Sequence, residues 1–209
     1  AEVDRAYIRR GVETSLRRLR TERLDLVQFH WWDYTVPGAV EAAQWLAELQ
    51  REGKIDRIGG TNFDTPHAAE LVAAGVDPVS MQVQYSLLDN RPEHGLVAFC
   101  RENNVRLLCY GTVAGGFLSE RWLGAPEPRP QFENRSLTKY KLIIDDFGGW
   151  ALFQELMATL SAIARRHGSD IASVSSRGIL QAPMVSDVIL VERNQAHVAA
   201  NAAMTALAH

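Results

Sequence analysis

The feature that most constrains the fold is the regular return of short apolar runs, each followed by an amphipathic stretch. The first four runs are Leu24–His30, Arg57–Gly60, Val79–Val83 and Val105–Tyr110. Their centres lie about 23 to 32 residues apart, a spacing that suits βα units joined by right-handed crossovers. The pattern predicts a parallel sheet, and a fifth strand is expected at Val188–Val191.

Helices are expected where apolar residues recur at helical spacing. The predicted helices are Tyr7–Leu19, Pro37–Gly53, Thr65–Ala74, Pro92–Asn103 and a last one from about Gln195 to Leu207. Between the fourth and fifth strands, Gly111 to Gly149 is rich in Gly and Pro and predicts a long functional loop, followed by about two helices.

Composition excludes several classes of protein. The chain has 209 residues, 46% hydrophobic and 22% charged, which is typical of a globular protein. A net charge of -3 argues against nucleic acid or an anionic membrane as partner. No membrane span or signal peptide is evident, so a cytoplasmic protein is expected. Cys100 and Cys109 lie in apolar stretches, and we expect reduced thiols and no metal site.

Polar and aromatic side chains stand where the predicted strands end. The strand ends carry His30, Trp31 and Trp32, then Thr61 and Asn62, then Gln82, and finally Tyr110 and Gly111. In parallel α/β folds ligands bind at these carboxyl ends. Amides, hydroxyls and aromatic faces together suit a flat polar ligand such as a nicotinamide carboxamide.

The segment Gly53–Phe63, which reads GKIDRIGGTNF, resembles a signature of the aldo-keto reductases. Leu24–His30 with its two tryptophans, Gln82–Leu88 and Leu108–Gly111 resemble further segments of that family in the same order. The resemblance implies a (β/α)8 TIM-barrel type of α/β fold. It makes this chain, residues 1–209, a single partial-barrel domain with about five parallel strands, the fourth to the eighth. Residues 111–149 would be its cofactor or substrate loop.

The resemblance also implies residue-level roles. His30 would orient the substrate carbonyl as the catalytic residue, and Trp31 and Trp32 would line the substrate pocket. The cofactor would be NADP, with NAD open because Glu192 puts a negative charge near the expected phosphate position. The implied cofactor-binding residues are Thr61, Asn62 and Gln82 at the carboxamide, Tyr110 stacked on the nicotinamide, Gly111 at the pyrophosphate, and Arg193, Asn194 and Asn201 around the adenosine.

Several of these residues have a purely structural alternative. Asn62 is a cofactor ligand or a helix cap, and Thr61 and Asp64 are equally good caps. Gln82 and Gln84 are ligands or a buried polar pair, and the resemblance selects Gln82. His30 and Tyr110 would, without that resemblance, be a structural histidine and a packing residue.

Two functions remain open from the sequence. The first is NADPH-dependent reduction of an aldehyde or ketone to an alcohol. The family's catalytic Tyr, Lys and Asp come from its first three βα units, which the resemblance places before Ala1, so this chain would lack them. The alternative is a catalytically inactive nucleotide-binding or interaction protein. A truncated barrel has open sheet edges, and we expect such a protein to oligomerise through them.

Overall fold

The computed structural model describes residues 3–129, 131–132, 134–191, 198, 201–202 and 204–205. Its strands are β1 (Leu24–His30), β2 (Ile55–Thr61), β3 (Pro78–Gln84), β4 (Arg106–Tyr110) and β5 (Val185–Ile189). The helices are α1 (Arg5–Leu19), α2 (Ala39–Arg51), α3 (Thr65–Ala73), α4 (Leu96–Glu102), α5 (Arg135–Phe147), α6 (Gly149–Arg166) and α7 (Ile171–Leu180). Strands and helices alternate through β4, as the periodicity predicted.

Several helix starts are encoded locally by an acidic or amide side chain. The side chain accepts a hydrogen bond from the backbone N–H three residues on, which satisfies one of the free donors of the first turn. These caps are Asp4 for α1, Asp64 for α3, Asn134 for α5 and Asp170 for α7. The caps define where each helix begins after its loop.

The strands form one sheet in the order β1-β2-β3-β4-β5, and the pairs β1/β2 and β2/β3 are parallel. The described chain divides into two compact units. The first contains the residues up to Val83 together with Gly95–Leu107, and the second contains Gln84–His94 and the residues from Leu108 onward. No helix described in the structure is long and apolar enough to cross a membrane.

The register of β1, β2 and β3 determines which side chains share a row. His30 is opposite Thr61, and Thr61 is opposite Gln82. The pairing of β2 with β3 jumps from Ile58–Pro78 to Gly59–Ser80, so β3 contains one extra residue at this point. This β-bulge brings Gln82, rather than Met81, opposite Thr61.

A glycine in β2 allows two polar side chains to meet across it. Gln28 Nε2 on β1 donates to Ser80 Oγ on β3 at 3.3 Å. A Cβ on the intervening Gly59 would lie 2.3 Å from Gln28 Oε1 and 2.4 Å from Ser80 Oγ. Only glycine leaves room for this pair, which lies two residues before the His30 row along each strand and therefore on the same face.

The second unit has its own core, built around an aromatic cluster. Phe117 is fully buried, and the rings around it are those of Trp122 at 4.9 Å, Phe132 at 5.9 Å, Trp150 at 6.3 Å and Phe153 at 6.5 Å between centroids. The buried aliphatic residues Ile144, Met157 and Ile171 pack with them. This core holds the chain that follows β4.

Three sequence expectations need correction. The fifth strand lies at Val185–Ile189, because it begins directly after a turn at Met184 and includes polar residues that an apolar run excludes. The predicted helix Pro92–Asn103 is only Leu96–Glu102, since Gly95 has a φ of 117° that a helix cannot contain. The segment 111–149 is not irregular throughout, because α5 forms behind its Asn134 cap.

The last predicted helix, from Gln195 to Leu207, lies largely outside the described residues. The expectation of one domain over residues 1–209 stays a prediction, as does the role assigned to 111–149.

Candidate functional site

Three of the residues selected from the sequence form one row across the first unit. His30 ends β1, Thr61 ends β2, and Gln82 lies near the end of β3, each directly opposite the next. Neighbouring strands are about 4.8 Å apart, and residues opposite one another in a parallel sheet share a face. An imidazole, a hydroxyl and a carboxamide are therefore presented side by side at the carboxyl ends of three strands.

Asn62 follows this row in a conformation that few residues adopt. Its φ is 57°, in the left-handed region. Its backbone N–H donates to the Gln82 carbonyl at 2.9 Å, which continues the pairing of β2 with β3 by one residue. The cap of α3 is Asp64, whose Oδ1 accepts from His67 N at 2.9 Å. The alternative that Asn62 caps this helix is thereby excluded.

The two tryptophans after β1 have different surroundings. Trp31 Nε1 donates to the Val36 carbonyl at 3.0 Å, and its ring lies beside Phe29 and Gly38. Trp32 is 89% exposed and meets the exposed His30 ring edge-on at 5.9 Å between centroids. Trp31 therefore organises the loop, while the Trp32 ring stands beside the imidazole.

Tyr110 ends β4 in the second unit, and Gly111 follows it with a φ of 73°. The ammonium group of Lys139 on α5 lies 5.7 Å from the centre of the Tyr110 ring and 4.5 Å from that of Tyr140. A Cβ on Gly111 would lie 2.5 Å from the Tyr140 hydroxyl. The turn after β4 is thus packed closely against α5, which the sequence did not predict.

A polar network built on the buried Gln84 and Asp89 supports the exposed Lys139. Its Nζ donates to Gln84 Oε1 at 2.6 Å, and Gln84 Nε2 donates to Asp89 Oδ2 at 2.6 Å. Arg91 binds the same carboxylate through Nε at 2.7 Å and Nη2 at 2.6 Å. Burial, and next the nearby Arg91 charge, lower the pKa of Lys139. Gln84 therefore has a structural role, which agrees with selecting Gln82 as the candidate ligand.

This network makes a prediction about stability and pH. Burial raises the pKa of Asp89, but hydrogen bonds from Arg91 and Gln84 outweigh it and bring the pKa below its ordinary value of 3.8. The ionised carboxylate therefore stabilises the fold above that value, and this stabilisation is lost as pH falls through the folded-state pKa. Asp89→Asn is expected to lower the free energy of unfolding at neutral pH by about 1 to 3 kcal/mol.

Urea denaturation between neutral pH and pH 3 tests this effect. The variant should lose less stability on acidification than the wild type, and the exposed Asp77→Asn variant serves as the control. Equal acid sensitivity of the Asp89 variant and the wild type would contradict the assignment.

A pocket of 470 Å³ lies in the second unit beside the loop that follows β4. Its lining includes Gly115 and Gly116, both with positive φ, and the side chains of Arg121, Trp122 and Phe132. The Arg121 guanidinium lies 5.2 Å above the Trp122 ring. The Gly116 N–H already donates to the Val113 carbonyl at 2.9 Å, so the Arg121 guanidinium is the candidate group for a phosphate oxygen in this lining.

The residues predicted to bind the adenosine are Arg193, Asn194 and Asn201. Arg193 and Asn194 lie outside the described residues, and Asn201 is a half-buried helical residue. Among the described residues no group of three or more His, Cys, Asp or Glu is arranged to hold a metal ion.

Comparison with known proteins identifies the family. The family model described as "Aldo/keto reductase family" matches residues 1–208. The chain belongs to this family. It is also similar to the NADH-specific methylglyoxal reductase of Escherichia coli, with 30% identity over 81% of this chain and 54% of that protein. Flagellar radial spoke protein 5 of Chlamydomonas reinhardtii is 30% identical over 75% of this chain and 33% of its own length.

Among solved structures, a thermostable aldo-keto reductase crystallised with the inhibitor epalrestat superposes with a TM-score of 0.74 and 26% identity. The match covers 98% of this chain and 62% of that enzyme, so the chain spans less than two thirds of these relatives. The aldo-keto reductase resemblance and the TIM-barrel type of α/β fold with five parallel strands are confirmed.

Proposed function

We propose that the protein reduces an aldehyde or ketone to an alcohol with a nicotinamide cofactor, as an aldo-keto reductase. The observation that carries this proposal is the row of His30, Thr61 and Gln82, in which three residues that the family resemblance selects are direct neighbours across three strands. A shift of β2 against β1 by one residue would move Thr61 to the opposite face and separate the groups.

The donor and acceptor groups of the first unit fit a nicotinamide carboxamide. A carboxamide has two N–H donors and one carbonyl acceptor. The side chains of Asn62 and Gln82 and the Thr61 hydroxyl can each donate and accept, so they can bind both the N–H groups and the carbonyl of the ligand. In the second unit, Tyr110 offers an aromatic face, and the pocket beside Gly115 and Gly116 offers the Arg121 guanidinium to a diphosphate.

His30 is proposed to polarise the carbonyl oxygen of the substrate by donating a hydrogen bond to it. His30 is exposed at the end of β1, so a small carbonyl compound can reach it, and Trp31 and Trp32 would line the approach. The reduced nicotinamide supplies the hydride when it is bound. The tyrosine that donates the proton, with its lysine and aspartate, is expected from the first three βα units, which the resemblance places before Ala1.

NADP is the proposed cofactor, with NAD as the alternative because of Glu192. One relative is named as NADH-specific, so the choice between the two is part of the test. Arg193, Asn194 and Asn201 are proposed to bind the adenosine end. We propose a cytoplasmic protein whose partner is a small carbonyl substrate, and neither nucleic acid nor a membrane.

Cofactor titration tests the proposal in the complete gene product that contains this chain. NADPH and NADH are each added while nucleotide fluorescence is followed. The wild type is expected to bind at least one of them, and Gln82→Leu should weaken that binding about tenfold, because it leaves a carboxamide group unpaired. Gln44→Leu makes the same exchange at an exposed position of α2 and should change nothing. Absence of binding to either nucleotide would refute the proposal.

A second candidate is an inactive nucleotide-binding or interaction protein that associates through an open sheet edge. A groove of 310 Å³ runs along β1, the first strand of the sheet order, beneath Tyr7, Ile8 and Val12 of α1. Gln28 Oε1 is buried there without a hydrogen-bond partner among the described residues. Sedimentation of the complete product, together with nucleotide binding and turnover assays, distinguishes the two candidates. A reversible oligomer that binds nucleotide but does not reduce carbonyl compounds favours the second candidate. An active monomer excludes it.

A further inference from the structure

Tyr34 contacts the segment that follows β2 through its hydroxyl group. It lies in the loop after β1, four residues beyond His30. Its O–H donates to the Asn62 carbonyl at 3.3 Å and accepts from the Asp64 backbone N–H at 3.4 Å. One phenol therefore bridges both ends of the short segment between β2 and α3.

The Tyr34 ring is itself held in place. The His67 ring stacks on it with 3.6 Å between centroids and an angle of 6° between planes. His67 is fixed in turn by Asp64, whose Oδ1 lies 2.6 Å from His67 Nδ1 and accepts from His67 N at 2.9 Å. The Phe63 ring lies 6.0 Å from Tyr34. The stacked His67 ring, itself hydrogen-bonded to Asp64, thus holds the Tyr34 hydroxyl in position to bind Asn62.

Asn62 needs such support because of its backbone conformation. The left-handed region is unfavourable for a residue with a Cβ, although Asn tolerates it better than most. Its N–H is held by the Gln82 carbonyl and its C=O by the Tyr34 hydroxyl. With both peptide groups fixed, the direction in which the Asn62 side chain leaves the strand end is fixed as well.

We infer that Tyr34 is a positioning residue of the nicotinamide site, acting through Asn62. The inference rests on the proposed function, because it gives Asn62 the carboxamide of the cofactor as its ligand. Tyr34 itself touches neither cofactor nor substrate in this assignment. Its loss should therefore weaken recognition of the nicotinamide half alone and leave the adenosine and diphosphate half unaffected.

The test compares two ligands on the complete gene product. One is the reduced cofactor. The other is ADP-ribose, which has the same adenosine and diphosphate groups but no nicotinamide. If the cofactor is NADPH, the 2′-phosphate of ADP-ribose is used instead. Tyr34→Phe removes only the hydroxyl and keeps the stacked ring. It is expected to raise the Kd of the reduced cofactor about fivefold, with the Kd of the ADP-ribose ligand unchanged. Thr159→Val, which removes an exposed hydroxyl from α6, is the control.

A double-mutant cycle adds the second readout. If Tyr34 acts through Asn62, then Tyr34→Phe should have no further effect on cofactor binding in an Asn62→Ala background. Equal weakening of both ligands, no weakening of either, or additivity with Asn62→Ala would each overturn the inference. Failure of the wild type to bind any nicotinamide nucleotide would overturn the proposed function, and the inference with it, so the two failures are told apart.

Discussion

Replacing His30 with alanine should lower kcat for carbonyl reduction by about a hundredfold or more, because a positioned acid or base group typically contributes that much. On the free-energy scale this corresponds to about 2.7 kcal/mol of lost transition-state stabilisation. The measurement is steady-state oxidation of the reduced cofactor by an aldehyde or ketone, in the complete gene product.

The control for this experiment is His94→Ala, which removes an exposed imidazole from the turn before α4. Its kcat should equal that of the wild type. Cofactor affinity should be nearly unchanged in the His30 variant, since His30 is assigned to the substrate carbonyl. A normal kcat in the His30 variant would end that assignment, whatever happens to binding.

The largest effect on stability is expected from Phe117→Ala. The side chain is fully buried, and its ring is bordered by four other aromatic rings. Truncating a buried phenylalanine costs about 3 to 5 kcal/mol, since the transfer free energy of the ring is lost and a cavity is left behind. Denaturation by urea should show this loss, and the melting temperature should fall by about 10 °C.

The comparison variant is Leu142→Ala on α5, where the side chain is 59% exposed. It should change the free energy of unfolding by less than about 0.5 kcal/mol. If the two variants are equally stable, the aromatic cluster around Phe117 does not hold the second unit together. Because Phe117 follows the glycines at the 470 Å³ pocket, weaker nucleotide binding by its variant is also expected.

Much of the first unit could be predicted from the sequence, for local reasons. Strand β1 lies at Leu24–His30 as expected, because the short β-prone run begins directly after the polar residues Thr21, Glu22 and Arg23. The α3 helix begins at Thr65, where an Asp followed by Thr-Pro predicts a start. His30, Thr61 and Gln82 were selected because they lie at or near strand ends and because the family resemblance assigns them roles, and the register brings them together.

What the sequence did not reveal depends on contacts between residues far apart in the chain. The Gln28–Ser80 pair spans 52 positions, and Lys139 meets Gln84 across 55. No periodicity connects Tyr34 with Asn62, although the Asp64 cap was open to prediction. The α5 helix was missed because the Gly- and Pro-rich start of residues 111–149 obscured the capped helical pattern from Arg135.

The bulge in β3 also affects how this strand can vary among related proteins. Val79 is the extra residue, and it has no partner on β2. The number of residues between Pro78 and Ser80 can therefore change without changing which residues pair. A homologue that is one residue shorter here can keep a glutamine opposite the position of Thr61, whereas a shortening within β2 would change every pair that follows it. An alignment gap is therefore admissible at Val79, and a gap-free alignment of this strand can assign the ligand position to the wrong neighbour.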